Sequence, residues 1–242
     1  ETILELKNLS KKDVFSDISL KLHKGEILGM AGLVGAGRTE VFRTVFGMDP
    51  YDSGEVLYEG KKLEVKKVQD AIRAGIMMIS EDRKREGLVL CRSVGENIAL
   101  PNLASYLRGI FLNKKSEKKD SVEMQEILNI KTPSLDTPAG SLSGGNQQKI
   151  VIAKWLLHHP KVLIMDEPTR GIDVGAKYEI YKIMCDLAAQ GVGIVMISSD
   201  LPEIIGICDR TIVMSEGKIT GEVERKDFSQ EHIMAFAVGG KK

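Results

Sequence analysis

The sequence predicts an α/β fold with a mostly parallel sheet at its core. Three observations carry that reading. Short β-branched, apolar runs alternate with amphipathic stretches along most of the chain. One run, residues 26–31, ends in glycines and leads into a helical pattern. Another, residues 162–165, is wholly apolar and ends in two carboxylates, as a buried strand does where it meets a ligand-facing edge.

Residues 3–9 and 14–22 alternate apolar and polar side chains and read as antiparallel edge strands, the expected antiparallel β subdomain. Residues 37–47 read as a helix with Val41, Phe42 and Val45 on one face. Further buried strands are expected at 76–79, 162–165, 194–198 and 211–214. The segment 211–215 turns through Glu216-Gly217 into 218–223 as a hairpin. Helices fit 176–189, 202–208 and 230–238. Residues 87–158 lack strand runs and carry helical stretches at 96–107, 120–128 and 146–158. They are expected to form a helical subdomain inserted into a core of about 1–86 and 159–242, all within one domain. The charged run 114–120 reads as solvated surface, and Trp155 as packing for the helical lobe.

Composition narrows the function classes. The 242 residues, 43% of them hydrophobic, can bury a sizeable core. The 34 basic and 34 acidic residues cancel, which argues against a broad nucleic-acid footprint. Cys91, Cys185 and Cys208 are an odd set without CxxC spacing, which argues against a disulfide framework or a zinc site. No apolar run approaches the roughly 18–20 residues of a membrane span. The chain opens on Glu1-Thr2-Ile3 without Met and reads as a piece of a longer one.

Gly32-Leu33-Val34-Gly35-Ala36-Gly37-Arg38-Thr39, followed by Glu40, fits the glycine-rich phosphate loop with Arg38 where Lys is usual. It lies between a predicted strand and a predicted helix. Gly35 and Gly37 can turn successive N–H groups inward, and the helix start adds partial positive charge, so a triphosphate is stabilised there. Thr39 can place its hydroxyl on Mg²⁺. Arg38 keeps the charge on a longer planar fork, so binding is expected to survive while γ-phosphate alignment suffers. Taken alone, the motif also fits a ligand-free strand–helix turn. At the other strand end, Asp166 is placed to hold Mg²⁺ through water and Glu167 to orient or deprotonate the attacking water. A strand that simply stops at solvent is the plain alternative. Asp173, closing Pro168-Thr169-Arg170-Gly171-Ile172-Asp173, is a candidate cap for the next helix.

Leu142-Ser143-Gly144-Gly145-Asn146-Gln147-Gln148-Lys149 begins twenty-four residues before Asp166. This octet resembles the signature motif of ATP-binding cassette (ABC) ATPases, and the three motifs stand in that family's order. With Ser80-Glu81-Asp82-Arg83, residues 166–176 and residues 198–203, the chain resembles the second, C-terminal cassette of monosaccharide importers of the ribose/galactoside/xylose type. The resemblance implies a P-loop NTPase of ABC type that binds ATP and Mg²⁺. It implies a head-to-tail pair with an N-terminal cassette of the same longer chain, transmembrane permease subunits as partners, a sugar-binding protein indirectly, and a place on the cytoplasmic face of the membrane. It implies that Gly32–Thr39, Asp166 and Glu167 serve this cassette's own nucleotide. Ser143, Gly144 and Gly145 would then contact the partner's γ-phosphate, with Gln147 and Gln148 supporting that helix start.

Three positions depart from the family's active pattern: Arg38, Glu81 where a Gln usually meets Mg²⁺, and Ser199 where a switch His meets the γ-phosphate. Losing one well-placed donor costs roughly 10²–10³-fold in rate. The expectation is a weakened site that binds nucleotide, hydrolyses it slowly, and lends its signature motif to the partner. A catalytically inactive assembly cassette and a soluble non-transport ABC ATPase are the alternatives. Phe15 is the nearest aromatic for adenine stacking, and equally fits the core.

Overall fold

The computed structural model describes residues 1–109 and 111–239. In chain order the elements begin β1 (Thr2–Lys11), β2 (Phe15–His23), β3 (Ile27–Gly32), α1 (Arg38–Val45), β4 (Ser53–Tyr58), β5 (Lys61–Lys62), α2 (Val68–Ala74) and β6 (Ile76–Ile79). Then come α3 (Val94–Ala99), β7 (Leu107–Arg108), β8 (Phe111–Leu112), α4 (Lys114–Ile127) and α5 (Gly144–Leu156). The chain continues through β9 (Val162–Asp166), α6 (Val174–Ala189), β10 (Gly193–Ile197), α7 (Leu201–Ile207), β11 (Arg210–Ser215), β12 (Lys218–Glu224) and α8 (Gln230–Ala237). No helix among the described residues is long and apolar enough to cross a membrane.

One compact unit comprises Glu1–Met78, Lys161–Pro168 and Met184–Lys242. Its six-stranded sheet has the order β12-β11-β3-β10-β9-β6, with β11, β3, β10 and β9 parallel to one another. Every residue of β9 and β10 is buried, as expected of strands covered on both faces. Ile197 pairs with both Met30 and Asp166, so β10 and β9 finish level and β3 runs two residues further, to Gly32. That is the edge where open α/β sheets hold ligands. On α1, Val41, Phe42 and Val45 are fully buried, which fixes the helix that follows β3.

A second sheet in this unit, ordered β2-β1-β4-β5, is antiparallel. β4, β5 and α2 carry too little apolar pattern to be expected from sequence. Val56, the one buried residue of β4, is registered opposite Leu6 on β1, and α2 fully buries Ala71 alone among its residues. Phe15 is 3% exposed at the head of β2, so its ring belongs to the core and is not free to stack on a base.

The other unit comprises Ile79–Pro160 and Thr169–Ile183. It contains all of residues 87–158 and adds segments on both sides. Ser93 and Glu96 form a capping box at the start of α3. Asn97, 2% exposed, accepts from Val89 N at 2.8 Å and donates to Val89 O at 3.0 Å and Ser93 O at 2.9 Å. One buried amide thereby holds the loop before the helix. The strand-free expectation for this region needs correction: β7 and β8 form a short antiparallel pair. The lysine-rich run is the first half of α4, exposed at its lysines but not at Glu117, which is 8% exposed.

Candidate functional site

The phosphate loop grows from β3 because the backbone there takes conformations only glycine tolerates well. Gly32, Gly35 and Gly37 have φ of 151°, 83° and 94°. Gly37 is the N-cap of α1, and no side chain caps this helix start. The first-turn N–H groups of any helix lack intrahelical partners, so this start offers donors to an anion. Leu33 and Val34 are 49% and 91% exposed, Gly35 is exposed, and Ala36 is buried beneath the loop. Glu40 lies in the first turn of α1.

Asp166 ends β9 in nearly complete burial, 1% exposed. Its Oδ2 accepts from Thr39 Oγ1 at 2.7 Å, while its Oδ1 is buried with no hydrogen-bond partner. Burial first, with Glu167 nearby, pushes the Asp166 carboxyl up to about 6 despite the Thr39 bond. A carboxylate oxygen left bare beside a hydroxyl is a donor set that a hard divalent cation completes. The donor set of Thr39 and Asp166 is one that a divalent cation such as Mg²⁺ fits. Glu167 follows with φ of +46°, a left-handed conformation uncommon for a residue with a side chain. Its Oε1 accepts from Ser199 N at 2.8 Å, and its own N–H donates to Ile197 O at 2.9 Å.

Arg38 departs from its expected use. The guanidinium does not lie open to the loop mouth: the residue is 7% exposed, and Nη1 donates to Ser198 O at 2.6 Å and to Met30 O at 3.5 Å. Burial lowers its proton affinity below the ordinary arginine value, against the pull of Glu167, Asp166 and Glu40. The structure thus gathers Gly32–Thr39, Glu40, Asp166, Glu167 and Ser199 at one edge of the parallel sheet. The carbonyls of Met30 and Ser198 join them, and no side-chain pattern could have announced those.

The remaining expected residues belong to the other unit. Ser143 is the N-cap of α5, and its Oγ accepts from Asn146 N at 3.5 Å and Asn146 Nδ2 at 3.0 Å. Gln147, 4% exposed, donates from Nε2 to Leu142 O at 3.1 Å and Ala139 O at 3.3 Å, which ties the octet to the turn before it. Gly145 packs so closely on Ala176 that any side chain would collide, and a methyl group on Gly144 would meet Gly171 O at 3.0 Å. Asp173 caps α6 by accepting from Ala176 N at 3.0 Å. Arg83 donates to Arg170 O at 2.6 Å and Gly171 O at 3.1 Å, and Glu81 pairs with Arg170. Asp82 accepts from Lys84 N and Arg85 N, so the charged segment after Glu81 is folded back on itself.

The ABC transporter family model matches residues 15–170 of this sequence. The chain is 56% identical over 239 residues to the ribose import ATP-binding protein RbsA of Bacillus licheniformis, covering 99% of this chain and 48% of that protein. It is 54% identical over 239 residues to the protein of the same name from Oceanobacillus iheyensis, covering 98% and 48%. The chain therefore spans about half the length of the curated relatives it matches. Among solved structures, a nucleotide-free ATP-binding cassette from an ABC transporter matches at TM-score 0.85 and 22% identity, over 99% of this chain and 100% of that one. A second cassette, in its ADP conformation, matches at TM-score 0.83 and 23% identity, over 99% of each chain. The fold is that of an ABC ATPase cassette.

Proposed function

This chain belongs to the ABC transporter family, and from that premise we propose that it binds Mg²⁺-ATP and couples ATP binding and hydrolysis to monosaccharide import. One observation carries the proposal: Thr39 and Asp166 meet at 2.7 Å beside an uncapped, glycine-led helix start, with Asp166 Oδ1 left without a partner. In this reading the loop amides of 32–39 cradle the phosphates. Thr39 and Asp166 hold the metal, whose charge offsets that of the phosphates. Glu167 orients the attacking water and accepts its proton. Ser199 is assigned to the γ-phosphate side.

The likeness to sugar import proteins at 54–56% identity supports the substrate class. Coverage of about half their length supports pairing with a further cassette. In that pair Ser143, Gly144, Gly145 and Gln147 present the signature helix to the partner's nucleotide. The assembly engages transmembrane permease subunits at the cytoplasmic face of the membrane, and through them a sugar-binding protein.

This cassette's own site is weakened. Arg38 points its Nη1 at backbone carbonyls, and Ser199 is too short to replace an imidazole. The inward turn of Arg38 also favours a second reading, a cassette that binds nucleotide for assembly without turning it over. Two measurements separate and test these. Calorimetric titration with ATP should show binding that depends on Mg²⁺ and is lost in Asp166→Asn; Mg²⁺-independent binding refutes the metal assignment. Ser199→His should raise ATP turnover in the two-cassette chain, and unchanged turnover leaves the assembly reading.

A further inference from the structure

We infer that Arg38 is a positioning residue for Glu167, acting through the Ser198–Ser199 peptide rather than on phosphate. This rests on the reading of Glu167 above as the group that orients water. The path is short and lies wholly within the unit that carries the phosphate loop. Arg38 Nη1 donates to Ser198 O at 2.6 Å, and Ser199 N donates to Glu167 Oε1 at 2.8 Å. Both contacts belong to one peptide group. In a planar trans peptide the C=O and N–H point in opposite directions, so holding the carbonyl aims the amide.

Chemistry adds to geometry. A cation on the carbonyl oxygen polarises the peptide and strengthens donation from its N–H, because linked hydrogen bonds reinforce one another at low dielectric. The Arg38 end is desolvated, at 7% exposure, where such polarisation is least screened. The peptide is also held from its flanks. Ser198 is fully buried, its Oγ donates to Glu203 Oε2 at 3.2 Å and accepts from Asp200 N at 3.0 Å. Glu167 needs the hold, since its left-handed backbone at φ +46° is a conformation that surroundings must enforce. The same Nη1 also lies 3.5 Å from Met30 O, so one nitrogen of the guanidinium serves two neighbouring backbone carbonyls.

The test uses the nucleotide-free chain and Arg38→Met, which keeps the stem and removes the donor. Amide exchange followed by NMR should show Ser199 exchanging about tenfold faster in the variant, the scale of one hydrogen bond. The Kd for Mg²⁺-ATP should stay within about twofold of the parent. Methylguanidinium added to Arg38→Ala should restore Ser199 protection. Unchanged Ser199 exchange overturns the inference, as does a Kd weakened tenfold or more, which would put Arg38 on phosphate. Should Arg38→Met fail to fold, the parent chain still decides: slow exchange of the Arg38 Hη1 protons supports the assignment and fast exchange overturns it. Asp166→Asn run alongside keeps the two readings apart. If that variant binds Mg²⁺-ATP normally, the site assignment fails whatever Arg38 does.

Discussion

Two helices of this molecule start on glycine-rich turns, and they start differently. α1 begins at Gly37 in a left-handed conformation with no side-chain cap. α5 begins at Ser143 in an extended conformation, and its own hydroxyl accepts from Asn146. The glycines differ as well. Gly35 has open space around it and is required for its φ of 83°, whereas Gly145 is required because Ala176 leaves no room for a side chain. One residue type thus serves backbone shape in the first turn and close packing in the second. The first leaves donors bare for an anion. The second spends part of its donor set on itself.

The comparison can be broken most severely at α5. Ser143→Arg in the two-cassette chain should lower hydrolysis at the partner's site by about 10²–10³-fold, the scale of one lost transition-state donor. The Mg²⁺-ATP affinity of this cassette's own loop should stay unchanged. Equal loss at both sites would erase the division of labour.

In the phosphate loop, Gly32→Ala should cost about 2–4 kcal/mol in urea unfolding, because a methyl group would strike the Met214 carbonyl at a φ of 151°. Gly35→Ala meets nothing within 4 Å and should cost only about 1–2 kcal/mol of left-handed strain. A reversed order would show that backbone conformation, not space, governs this turn.

Asp166 supplies a pH signature. Its folded carboxyl is raised to about 6, so the folded state holds the proton more tightly than the unfolded one. Stability from this group is present at low pH and is lost as pH rises from about 4 to about 6. Without Mg²⁺, Asp166→Asn should therefore be more stable than the parent by about 1–3 kcal/mol at pH 7.5, and by much less at pH 4. Urea unfolding at the two pH values checks the sign. The smallest effect belongs to Ser143→Ala, about 1 kcal/mol for a lost cap, read by thermal unfolding.

Much of this architecture was legible because periodicity and punctuation are local. The apolar run ending in Asp166-Glu167, the Glu216-Gly217 hairpin and the Asp173 cap all stand where the chain pattern puts them. A further signal was there to use: Ser93-x-x-Glu96 marks the start of α3 at Val94. Gly75, left-handed after α2, marks a helix end that apolar spacing was too sparse to reveal. β4 gave no such sign, since only Val56 of its six residues is buried and the strand is defined by its pairing with β1.

Chemical inventory was set by sequence alone: glycines where φ must be positive, a hydroxyl and a carboxylate ready for a divalent cation, and an arginine in place of lysine. Tertiary structure alone decided where those groups point. The ring of Phe15 went into the core, and the guanidinium of Arg38 went to the carbonyls of Ser198 and Met30. Backbone carbonyls and the level ends of neighbouring strands leave no mark in residue identity. They come into being as partners only when strands distant in sequence pair in register, and a buried charge then turns toward whichever acceptor that pairing has brought within reach.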